Sequence, residues 1–143
     1  MLPPTSGRIV YDGVDATDAA CVVAAFPNFF GRLEDIATVS SAAHEAGALS
    51  VVVADPTAMG ILKSPGELGA DVVVGEGHAL GNSLSYGGPY VGLFATKLDL
   101  VRQVPGRIAG ETVDADGRRA YVLTLQAREQ HIRRAKASSN VCT

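Results

Sequence analysis

The sequence predicts an α/β fold with a mostly parallel sheet flanked by helices, and two patterns along the chain carry this prediction. Short apolar runs alternate with segments of helical character, and turn residues end each run. Continuous apolar runs of this length are typical of strands buried on both faces, as in parallel sheets. The alternation further predicts right-handed crossovers and covered sheet faces. Because the chain has 143 residues, we expect a single domain.

The strands and helices of this sheet are predicted at short intervals along the chain. In order they are a short strand at Arg8–Tyr11, a strand at Ala19–Phe26, a helix at Leu33–Ala46, a strand at Leu49–Ala54, a short helix around Pro65–Leu68, a strand at Asp71–Val74, a strand at Tyr90–Ala95 and a helix at Thr96–Gln103. The first long helix has Glu34 and Asp35 in its first turn and Gly47 just beyond its last, as helix ends favour. Its predicted apolar face includes Leu33 and Ile36.

The pattern changes after residue 106. Two runs, Arg107–Val113 and Arg119–Leu125, flank the sequence Asp-Ala-Asp-Gly at 114–117, and Asp and Gly accept the dihedral angles of a hairpin turn at low cost. A polar helix is predicted at Ala127–Ser138. We therefore expect an appended β-hairpin and C-terminal helix over residues 107–138, and a Gly/Pro/Asp-rich N-terminal segment over residues 1–18.

Composition excludes several classes of function. With 47% hydrophobic and 19% charged residues the chain has a globular balance, and its net charge of −3 argues against a nucleic-acid partner. The chain has no apolar stretch long enough for a membrane span and no signal peptide at its start. Two lone cysteines, Cys21 and Cys142, indicate a reducing compartment. We expect a cytoplasmic protein, or an organellar one if a targeting segment has been lost.

Two features fall where open parallel sheets bind ligands, at the carboxyl ends of strands. Asp55 ends one predicted strand, and the Gly-rich loop Gly75–Pro89 follows the next. The loop begins Gly-Glu-Gly-His-Ala-Leu-Gly, which fails the dinucleotide template G-x-G-x-x-G because the third glycine comes one residue late. Its glycines either hold an anion through backbone amides or only permit close packing. Acidic residues also end strands simply because they favour turns.

His78 is the histidine best placed for proton transfer, because it lies within this glycine loop. His44 and His131 fall on predicted helices and are expected at the surface. Metal-ligand spacing is absent, so no metal is assigned. Cysteine and serine residues show no activating arrangement in the sequence.

Several motifs, read in order, resemble the P-proteins of the glycine cleavage system, a family of pyridoxal-phosphate (PLP) enzymes. The motifs are Pro27-Asn28-Phe29-Phe30-Gly31, Leu33-Glu34-Asp35, Gly69-Ala70-Asp71, Gly75-Glu76-Gly77, Leu80-Gly81-Asn82, Tyr86-Gly87-Gly88-Pro89-Tyr90-Val91-Gly92, Pro105-Gly106-Arg107, Gly110-Glu111-Thr112 and the closing run Leu123–Arg134. The closing run and the Gly-Gly-Pro loop are the most specific. The resemblance covers nearly the whole chain from Cys21 and points to the N-terminal half, or first subunit, of the enzyme.

The resemblance implies part of the large domain of a fold type I PLP enzyme. The family decarboxylates glycine and passes the aminomethyl group to the lipoyl arm of the H-protein. PLP catalysis needs a Schiff-base lysine and a carboxylate facing the pyridinium nitrogen. In the other half of the P-protein that lysine precedes its own Gly-Gly-Pro, and the equivalent position here falls near His78. Asp55 matches the pyridine-facing carboxylate, so the resemblance implies a vestigial site.

The chain is therefore expected to act with a partner and to be inactive alone. The resemblance makes Ser85, Tyr86, Gly87 and Gly88 candidates for a loop lent to the partner's cofactor site, although the loop's role could equally be to shape the interface. The implied partners are the lysine-bearing subunit, which would hold the PLP, and the H-protein, in an oligomer. No cofactor is expected to be bound covalently to this chain. The alternative is a catalytically inactive PLP-fold scaffold or binding module.

Overall fold

The computed structural model describes residues 10–11, 14–15, 19–82, 86, 90–104 and 108–123. The chain divides into two compact units, Met1–Lys97 and Leu98–Thr143. The first unit contains a four-stranded sheet and an α-helix, and the second contains a β-hairpin.

The sheet of the first unit is mostly parallel, as predicted. Its strands, in spatial order, are β3 (Cys21–Phe26), β4 (Leu49–Ala54), β5 (Val72–Glu76) and β6 (Gly92–Thr96). The first two pairings are parallel, and β6 runs antiparallel to β5. A separate antiparallel pair, β1 (Val10–Tyr11) and β2 (Val14–Asp15), precedes it. The predicted strand at 49–54 is confirmed with the same ends.

Helix α1 (Ile36–Glu45) begins three residues later than predicted. Asp35 is the N-cap, and its two carboxylate oxygens accept hydrogen bonds from the amide and the hydroxyl of Thr38. The predicted start, Leu33, lies in the preceding loop and is 55% exposed. The capping carboxylate decided the start, because it satisfies an amide that has no partner within the helix.

The core lies between α1 and one face of the sheet. Ile36 and Val39 of the helix pack with Ala24, Phe26 and Val52 of the strands. A buried hydrogen bond of 2.8 Å between the hydroxyls of Ser40 and Ser50 joins the helix to β4. These contacts leave the even-numbered residues of β3 and β4 facing the helix, because side chains alternate across a strand.

The opposite face of the sheet departs from the prediction of two covered faces. The register places Ala25, Val53, Val74 and Phe94 in one row across the four strands. Val53 is 43% exposed and Phe94 is 48% exposed. Within the described residues, therefore, only one face of the sheet is well covered. Both faces are nevertheless apolar, which is typical of a sheet that is covered on both sides.

A buried carboxylate ties three elements together at the amino end of β5. The Asp71 side chain, 7% exposed, accepts hydrogen bonds from the Ser50 amide (2.8 Å) and the Lys97 ammonium (2.6 Å), and lies 2.8 Å from Nε2 of His44. The Thr96 hydroxyl donates to the Asp71 carbonyl oxygen. The helix predicted at 96–103 is therefore shorter, a 3₁₀ turn at Leu98–Gln103, because Thr96 ends β6 and the Lys97 amide donates to the Asp71 carbonyl oxygen.

Between β4 and β5 the chain forms turns. A 3₁₀ turn spans Ala58–Gly60, and hydrogen-bonded turns replace the short helix predicted around Pro65–Leu68. Met59, Leu62 and Leu68 of this segment pack against the core cluster. The connection thus covers the same face of the sheet as α1.

The second unit contains the predicted hairpin. Strands β7 (Ala109–Val113) and β8 (Arg119–Leu123) pair antiparallel. In the turn, Gly117 takes a positive φ of 76°, a region that glycine enters without steric cost. The predicted helix at 127–138 lies outside the described residues. In the part of the chain that the structure describes, no helix is long and apolar enough to cross a membrane.

Candidate functional site

A cavity of about 540 Å³ opens at the carboxyl ends of β3, β4 and β5. Its lining residues come from these strand ends and from the segments that follow them: Ala25, Pro27, Val53, Ala54, Asp55, Val74, Gly75, Glu76, His78 and Ala79. Most of the wall is apolar, and three side chains are titratable. Open parallel sheets bind ligands at this edge. The cavity therefore lies at the edge of the sheet where the sequence predicts a site.

Asp55 directly follows β4 and lines the cavity. Its amide donates to the carbonyl oxygen of Phe26 on β3. Its Oδ1 accepts hydrogen bonds from the Thr57 hydroxyl (2.7 Å) and the Thr57 amide (2.9 Å). These bonds hold the pKa of Asp55 below its ordinary value, because they favour the charged form. At neutral pH the cavity therefore carries a fixed carboxylate.

His78 lies in the same cavity as Asp55 and begins the 3₁₀ turn His78–Leu80. Its Nδ1 is 3.3 Å from a carboxylate oxygen of Glu76. Its ring meets the Tyr90 ring edge to face, with 4.6 Å between the centroids. The structure thus brings together the two candidates that the sequence placed on different loops. Glu76, which the sequence did not single out, adds a second carboxylate.

The glycines of the Gly-Glu-Gly motif are required by close packing. A Cβ at Gly75 would overlap the carbonyl oxygen of Ala54 on β4, and a Cβ at Gly77 would lie 2.9 Å from Cγ1 of Val91. The turn after them ends at Gly81, with a φ of 117°, and does not continue as a helix. Of the two interpretations of this loop, the packing of the described part favours the close approach of backbones.

The loop proposed for a partner's site is described only at Tyr86. This residue is fully exposed and has a positive φ of 49°, which is uncommon for a non-glycine residue. Ser85, Gly87 and Gly88 lie outside the described residues. Their assignment as cofactor-binding residues stays a prediction.

The two lysines that the structure describes, Lys63 and Lys97, are not among the residues that line the cavity. Lys97 is bound to Asp71 at the amino end of β5, and the exposed Lys63 is absent from the residues that line the cavity. Lys136 lies outside the described residues. The segment 75–89 contains no lysine. The cavity therefore offers two carboxylates and an imidazole, and the described lining has no amine for a Schiff base.

Comparison with known proteins agrees with the resemblance drawn from the motifs. Residues 6–143 match the family described as glycine cleavage system P-protein. The chain is 59% identical over 128 residues to probable glycine dehydrogenase (decarboxylating) subunit 1 of Sphingopyxis alaskensis, covering 89% of this chain and 28% of that protein. It is 61% identical over 127 residues to the protein of the same name from Caulobacter vibrioides, covering 88% and 28%.

A solved structure shows the same fold. It is a crystal structure of glycine decarboxylase (P-protein) of the glycine cleavage system in inhibitor-bound form, with a TM-score of 0.83 and 53% identity over 97% of this chain and 32% of that one. The chain spans about 28% of the length of the two curated relatives. From the sequence match and the fold together, the chain belongs to the glycine cleavage system P-protein family.

Proposed function

We propose that the chain is part of the P-protein subunit that lacks the Schiff-base lysine and that supports the PLP-dependent decarboxylation of glycine by a lysine-bearing partner. The observation that carries the proposal is the cavity at the carboxyl edge, which holds Asp55 and His78 but no described lysine. In this proposal the aminomethyl group passes to the lipoyl H-protein. The names of the curated relatives, which call them subunit 1, support the existence of a partner subunit.

The residues around the cavity do not fit a covalently held PLP. Asp55 has the chemistry of a partner for a pyridinium nitrogen, since its carboxylate is exposed and its pKa is lowered. His78 cannot replace the lysine, because an imidazole does not form a Schiff base with an aldehyde. We therefore derive no step of the reaction on this chain and assign the PLP to the lysine-bearing subunit. Ser85, Tyr86, Gly87 and Gly88 are proposed as a loop lent to that site.

The chain is further proposed to be a portion of one PLP-transferase-like large domain. In this proposal residues 1–18 are a poorly matched N-terminal segment, and residues 107–138 are an appendage of the hairpin and a predicted helix. The apolar face that carries Val53 and Phe94 would then pack against further polypeptide of the same domain, because parallel sheets are normally buried on both sides.

Borohydride trapping tests the assignment of the cofactor. The purified chain is incubated with PLP, reduced and digested, and the peptides are searched by mass for a pyridoxyl-lysine. We expect no stoichiometric adduct at Lys63, Lys97 or Lys136, whereas the lysine-bearing subunit treated in parallel should be labelled at one site. Stoichiometric labelling of a single lysine of this chain would contradict the proposal.

Reconstitution separates this proposal from the alternative of an inactive scaffold. The lysine-bearing subunit is assayed with H-protein for release of labelled CO₂ from glycine, with and without this chain. The proposal expects the chain to raise the rate of the partner and to release no CO₂ alone. An unchanged rate with the lysine-bearing subunit would favour a PLP-fold scaffold that lost its place in the enzyme.

A further inference from the structure

We draw no further inference here: the strongest candidate, the cavity at the carboxyl ends of β3, β4 and β5 with the side chains of Asp55, Glu76 and His78, belongs to the site already described, and nothing in the part of the chain that the structure describes shows which ligand or which other stretch of polypeptide occupies it.

Discussion

Asp71→Asn is the substitution for which the structure gives the most definite expectation. The carboxylate is 7% exposed and is contacted by His44, Ser50 and Lys97. Asparagine keeps the shape and one acceptor oxygen. Its NH₂ group would replace the other carboxylate oxygen and would face a donor whose hydrogen bond that oxygen accepts in the unchanged chain. The variant therefore loses at least one charge-assisted hydrogen bond and places two donors against each other.

The expected loss of stability is about 2–3 kcal/mol. A hydrogen bond to a charged group contributes about 1.5–3 kcal/mol. Breaking a fully buried ion pair costs about 3–5 kcal/mol, but the Lys97 side chain is 47% exposed and can regain water, which reduces the cost. For a chain of this length the loss corresponds to a melting temperature lower by about 6–12 °C.

The pH dependence supplies a second readout. Burial is the largest single influence on Asp71 and raises its pKa, but the hydrogen bonds from Lys97, Ser50 and His44 together hold the pKa below the ordinary value of 3.8. A lowered pKa in the folded state means that the charged carboxylate stabilises the fold above pH 3.8, and that this contribution is lost as the pH falls below 3.8 through the folded pKa. The difference in the free energy of unfolding between the unchanged chain and Asp71→Asn should therefore shrink as the pH falls below 3.8.

The assay is urea unfolding followed by far-ultraviolet circular dichroism, since the chain has no tryptophan. The control is Asp116→Asn in the exposed hairpin turn, whose pair with Arg118 spans 3.6 Å and should contribute less than about 0.5 kcal/mol. An Asp71→Asn variant that unfolds within about 0.5 kcal/mol of the unchanged chain at neutral pH would refute the reasoning.

Two further substitutions test the packing of the first unit by the same unfolding assay. Gly75→Ala should lower the free energy of unfolding by about 1–3 kcal/mol, because its Cβ would overlap the Ala54 carbonyl oxygen. The control Gly60→Ala, whose Cβ would meet no atom within 4 Å, should change it by less than about 1 kcal/mol. Equal effects of the two substitutions would contradict the close approach of β4 and β5. Ser40→Ala or Ser50→Ala alone leaves one buried hydroxyl without its partner and should cost about 1–3 kcal/mol, and the double variant should lose less than the sum of the two. Strict additivity would show that the two hydroxyls do not interact.

Local sequence determined the elements whose signals lie within a few residues. The apolar run at 49–54 was sufficient to predict β4 with its observed ends, and Asp-Ala-Asp-Gly predicted the hairpin turn, because glycine takes the required φ at low cost. The position of Asp55 after a strand predicted that it would lie at the carboxyl edge of the sheet, where it lines the cavity. The lack of lysine in segment 75–89 is likewise visible in the sequence alone.

Only the tertiary structure decided which distant residues meet. His44 is exposed, as the sequence predicted, and Lys97 was predicted in a helix. The sequence did not indicate that both contact Asp71, which lies 27 and 26 residues away along the chain. No periodicity encodes such a contact, because it depends on the register of β5 and β6 and on where α1 ends. The common cavity of Asp55 and His78 likewise depends on the pairing of β4 with β5.

The segment between β3 and α1 that carries Phe29 and Phe30 shows the same division. The sequence contains the two rings, and their apolar character by itself predicts burial. In the described structure both rings are exposed, on a loop whose amides donate to Asn28 and which ends where the Asp35 cap starts α1. The sequence thus determined which chemical groups this protein has. The tertiary structure decided which of them contact each other and which are exposed, because these contacts join segments that are distant along the chain and whose local propensities are independent.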